Sequence, residues 1–116
     1  MSIDKFFRKQ YDRQTYNCVH FACDVWEHET GDRIDHTVES LLLPPEQRKI
    51  SSALRKRLRK IDKPVTPCIV LMQRRRAEPH VGIYIRGKVL HIHELGVEYM
   101  PLDIACRGFD RIGFYQ

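Results

Sequence analysis

The chain has 116 residues, 42% of them hydrophobic and 30% charged, with a net charge of +5 and a pI near 9.2. That length allows one hydrophobic core and one domain, residues 1–116, and no apolar run approaches the roughly 20 residues needed to cross a bilayer. Four cysteines, Cys18, Cys23, Cys68 and Cys106, with no Cys-x-x-Cys pair, exclude a disulfide scaffold and a structural zinc site and predict reduced thiols.

The opening, MSIDKFFRKQYDRQ, has no apolar run followed by a small-residue cleavage site, so no secretory signal is read there. From Cys18 to His28, Cys18, Ala22, Val25 and Trp26 recur at helical spacing with Val19 and Cys23 on the adjoining flank, Asn17 is a good N-cap, and Gly31 supplies the stop. Cys18 then falls in the first turn, where unpaired N–H groups and the helix dipole favour a thiolate. His20, two positions on, points about 160–200° away and is read as a packing or surface residue. Residues 32–44 read as a loop. A second helix is predicted within Pro45–Lys60, with Ile50, Ala53, Leu54, Leu58 and Ile61 as its apolar stripe and a basic outer face. That face and the arginines 74–76 carry most of the positive charge. They interleave with no aromatic residues, so nucleic acid is not an expected partner.

After Pro64 come five runs rich in Val, Ile and Tyr: CIVLMQ (68–73), HVGIYI (80–85), KVLHIH (88–93), GVEYM (96–100) and RIGFY (111–115). They predict an antiparallel meander, and helices followed by strands predict an α+β fold with N-terminal helices packed on one face of a roughly five-stranded sheet. Arg86-Gly87 is a two-residue turn that sets His80 opposite His93 and Gly82 opposite His91. The three histidines then share one face, while Val81, Ile83 and Ile85 take the other. With the Cys18 helix over the histidine face, a thiol, a base and an orienting group would converge.

Asn-Cys-Val-His-Phe at the start of a helix, then Pro-His-Val-Gly-Ile-Tyr-Ile, a tight turn and Val-Leu-His, resembles the NlpC-type cysteine peptidases, papain-like peptidoglycan hydrolases. The matching segments cover roughly residues 11–31 and 67–100, and LHIHELG is similar to the Leu-His-His-x-x-Gly run of phage tail-assembly members. The resemblance implies Cys18 as nucleophile, His80 as base, His91 as the orienting residue and Tyr11 at the oxyanion hole, with neither metal nor cofactor. His80 is expected to hold Cys18 as thiolate. The family more often shows Asp-Cys-Ser-Gly where this chain has Asn-Cys-Val-His.

The expected activity is hydrolysis of an amide in peptidoglycan stem peptides, and the expected setting is a phage or prophage tail. Such a component would be made in the host cytoplasm, act in the periplasm or cell wall, contact other tail proteins and bind no membrane. Other readings are a structural tail or binding module without turnover, a thiol acyltransferase, suggested by a similar Asn-Cys-x-His-Phe motif in the lecithin-retinol acyltransferase group, and a zinc hydrolase using His80, His91 and His93. His93 is also a candidate to support or replace His91.

Overall fold

The computed structural model describes residues 2–34, 58–75, 77 and 79–116, and it is α+β, with six antiparallel strands and few helices. A 3-10 turn at Asp4–Arg8 precedes helix α1, Cys18–Thr30. The strands are β1 (Lys60–Ile61), β2 (Cys68–Gln73), β3 (His80–Ile85), β4 (Lys88–His93), β5 (Gly96–Pro101) and β6 (Arg111–Tyr115), with a short helix α2 (Leu102–Ala105) between the last two. Among the described residues no helix is long and apolar enough to cross a membrane.

Helix α1 begins where the sequence predicts because Asn17 Oδ1 accepts the N–H groups of Val19 and His20. The His20 ring reaches back in turn, its Nδ1 accepting the Asn17 N–H at 3.1 Å. This is a reciprocal capping box with histidine in the place usually held by Glu or Gln. His20, read as a packing or surface residue, therefore helps fix the first turn on which Cys18 sits. At the other end Gly31 takes the left-handed conformation, φ 77°, and its N–H donates to the Glu27 carbonyl.

The β3–β4 hairpin has the predicted register, with Ile83 opposite Leu90 and Ile85 opposite Lys88. Its turn residues Arg86 and Gly87 both have positive φ, 49° and 88°, the backbone of a two-residue turn matched to strand twist.

Three expectations need correction. The meander holds from β2 to β5 but not for β6, which returns beside β2 to give the order β1-β6-β2-β3-β4-β5. Local alternation cannot say which edge a strand will join; here the α2 crossover packs Leu102, Ala105 and Phe109 on Val70, Met72 and Val89 and carries the chain back across the sheet. Second, of the predicted basic helix residues 45–57 lie outside the described residues, and Lys60 and Ile61 are strand, opposite Tyr115 and Phe114. Backbone bonds between Arg59 and Gln116 in both directions hold that segment extended.

Third, α1 does not cover the histidine face. It buries Phe21, Ala22 and Val25 against Val81, Ile83, Ile85, Leu90 and Ile92, the face that strand alternation makes wholly apolar in these two strands apart from Lys88. The helix takes the face that buries more hydrocarbon, and the crossover covers the other.

Candidate active site

His80 opens β3 and His93 closes β4, so both lie at one end of the sheet. The first turn of α1 reaches the same end. A cleft of about 420 Å³ there is lined by Tyr11, Cys18, Pro79, His80, Ile92, His93, Glu94 and Leu95. Cys18 thus approaches the histidines past the end of the sheet and not across its face. It is half-buried, and none of the four cysteines forms a disulfide. Tyr11 stands beside the loop tied by the Asp12–Tyr16 bridge, in which Asp12 Oδ1 accepts the N–H groups of Gln14 and Thr15. Those backbone bonds hold the Asp12 carboxyl below its usual range.

His80 Nε2 lies 2.8 Å from His91 Nδ1, with the rings edge to face. Gly82 makes that approach feasible: a Cβ there would lie 2.7 Å from Val89 Cγ1 and 3.1 Å from His91 Cβ. His93, which the hairpin register extended from Ile83–Leu90 would set opposite His80, is engaged elsewhere. Its Nδ1 accepts the Leu95 N–H at 3.2 Å, which makes Nε2 the donor to Glu98 Oε1 at 2.5 Å. Of the two candidate orienting residues, then, His91 is the one bonded to the His80 ring.

For His80 to take a proton through Nδ1, its Nε2 must carry hydrogen and donate to His91 Nδ1. His91 then bears its own proton on Nε2, a buried atom with no hydrogen-bond partner among the described residues. Burial pushes the His80 pKa down to about 3, helped by the nearby His91, His93 and Arg74, and burial pushes His91 down to about 4. Both rings are neutral at pH 7. This differs from the expectation that His80 holds Cys18 as a thiolate, because desolvation penalises the imidazolium half of such an ion pair. A neutral imidazole can still accept the thiol proton during attack.

Phe109 was not foreseen in the sequence. Its ring lies nearly parallel to that of His80, 10° between planes and 6.3 Å between centroids, and the Arg74 guanidinium sits 4.7 Å from the same ring. The only sequence signal was a lone aromatic in a loop, and its relevance depends on β6 returning beside β2. The zinc reading gains no support from the geometry. His80 and His91 are bonded to each other and both His93 nitrogens are in use, and among the described residues no three His, Cys, Asp or Glu side chains are placed to hold a metal.

Comparison of the chain with models of known protein families and with curated proteins gave no match.

Proposed function

We propose that the protein is a cysteine hydrolase, a papain-like domain of NlpC type that cleaves an amide bond in peptidoglycan stem peptides as part of a phage or prophage tail. One observation carries the reading. A thiol on the first turn of a capped helix shares a cleft with an imidazole whose far nitrogen is fixed by a second imidazole. The hydrolytic and peptidoglycan assignments rest on the motif resemblance.

In the proposed cycle His80 Nδ1 takes the Cys18 proton as sulfur attacks the amide carbonyl. The developing oxyanion is met by backbone N–H donors of the first helical turn at Cys18 and by the Tyr11 hydroxyl. The imidazolium formed at His80 returns its proton to the leaving amine, and water then hydrolyses the thioester with His80 again as base. His91 accepts the Nε2–H of His80 throughout, holding the ring in the tautomer whose Nδ1 is basic.

The test is release of soluble fragments from purified Gram-negative sacculi by wild type and by Cys18→Ala, with mass spectrometry locating the broken bond. Iodoacetamide should modify Cys18 before the other three cysteines and abolish release, whereas a chelator should not. Sacculi left equally intact by both proteins, where a known hydrolase works, would favour a structural module. Activity lost to chelator and restored by zinc would replace the thiol mechanism.

A further inference from the structure

Beyond the Phe109 ring lies a second cleft, about 520 Å³, lined by Gln73, Arg74, Arg75, Asp110 and Arg111. Three arginines line it with a single acidic residue. Asp110 is not committed to the guanidinium groups: its Oδ2 accepts the Arg75 backbone N–H at 2.7 Å, while its own N–H donates to the Gln73 carbonyl at 2.8 Å. These two bonds tie the end of β2 to the start of β6, where Gln73 and Arg111 are register partners. The backbone under the arginines is therefore fixed. Among the described residues no carboxylate forms an ion pair with Arg74, Arg75 or Arg111.

The cleft adjoins the catalytic histidine through one aromatic ring. Arg74 lies over Phe109 at 4.7 Å from its centroid, and His80 stacks on the same ring at 6.3 Å. Together these distances bound the separation of guanidinium and imidazole at roughly 11 Å, which an extended peptide, advancing about 3.3 Å per residue, covers in about three residues.

We infer that the Arg74, Arg75 and Arg111 cleft is an anion-recognition subsite that receives a carboxylate of the peptide substrate two or three residues from the scissile amide. The inference rests on the hydrolase reading for its substrate. Planar guanidinium forks suit carboxylates because each can donate two parallel hydrogen bonds to one. Arginines on a backbone tied in this way, with no carboxylate paired to them among the described residues, have no salt bridge there to break on binding. A free carboxylate is favoured over a phosphodiester polymer because no aromatic ring stands open in this cleft as a base-stacking platform: Phe109 is covered by Arg74 and His80.

The test uses two substrates, stem peptides released from sacculi and the same peptides with their carboxylates converted to carboxamides. They are compared on wild type and on Arg75→Gln/Arg111→Gln, a variant that leaves the Arg74–Phe109–His80 stack in place. Wild type should show a KM about tenfold higher for the amidated peptide with kcat little changed, the signature of lost uniform binding. The double variant should treat the two alike at the higher KM. Equal KM values on wild type would overturn the subsite and leave the hydrolase standing. Should wild type cleave neither peptide, the hydrolase reading fails, and NMR titration of the arginine side chains with both peptides decides the subsite on its own. Preferential binding of the acidic peptide, lost in the double variant, supports it, and indifference overturns it. An oligothymidylate that displaces the acidic peptide and binds more tightly would also overturn it, assigning the cleft to phosphate.

Discussion

Acidification from pH 7.5 to 5 should weaken the fold by more than carboxylate chemistry explains, because His80 and His91 are held neutral by burial. Their folded pKa values lie near 3 and 4, below the ordinary value of 6.5 that they regain on unfolding. A depressed folded pKa means that the unfolded chain binds more protons between the two values. The contribution to stability is therefore complete above pH 6.5 and is lost as pH falls from there toward 4. Each such proton is worth about 1.4 kcal/mol per pH unit, which integrates to about 2 kcal/mol per ring between pH 7.5 and 5. His80 is partly exposed and is discounted for solvent screening, so the pair should contribute about 2–4 kcal/mol. Urea unfolding followed by the fluorescence of Trp26, the single tryptophan and a buried one, measures the loss at pH 7.5, 6 and 5. His80→Asn/His91→Asn should be markedly less sensitive over that range. Equal slopes for wild type and variant would refute the reasoning, because the proton uptake would then belong to other groups. In the same window wild-type cleavage should persist below pH 6, where an ordinary histidine base would already be protonated.

Three further outcomes are expected. Gly82→Ala should cost about 1–3 kcal/mol and most of the activity, because the new Cβ meets the fully buried Val89 and pushes on His91; an active, equally stable variant would show that the strands yield there. Arg86→Asn should stabilise by about 0.5–1 kcal/mol in urea, since Asn tolerates the left-handed φ of 49° better than Arg, and the Arg86 backbone N–H keeps its bond to Thr66 Oγ1. Cleavage should suffer far more from His91→Ala than from His93→Ala, with His91→Asn or His91→Gln retaining part through an amide oxygen that accepts from His80; the reverse ranking would move the orienting role to His93.

Strands β2 to β6 were legible because each is a short run of branched and aromatic residues bounded by Pro or Gly, and the hairpin because a two-residue turn leaves one register. Cys18 at a helix start was legible from Asn17. What could not be read was whatever depends on contacts far apart in the chain. Alternation told which residues of β3 and β4 share a face, but not that α1 would choose the apolar one, a matter of comparing two faces completed by other strands. The return of β6, and with it Phe109 on the His80 ring, depends on a crossover that no local pattern encodes. His20 was missed for another reason. A histidine three residues after the N-cap is outside the usual capping-box vocabulary, although its Nδ1 accepts a backbone N–H as a carboxylate would.

The same histidine pair bears on the choice between a hydrolase and a structural module. His91 is 8% exposed, and its Nε2 has no hydrogen-bond partner among the described residues; an unsatisfied buried polar group costs about 1–3 kcal/mol. A sheet required only to hold α1 on one face and the crossover on the other would gain stability from Val or Ile at positions 80 and 91. The chain instead keeps two desolvated rings in contact, leaves the space beside them as glycine, and ends a capped helix with a thiol at the same cleft. The desolvated histidine pair costs stability, and together with the thiol it suits proton transfer at sulfur. On the proposed hydrolase reading that cost is accounted for by proton transfer at the cleft, whereas a module without turnover would leave it without a role.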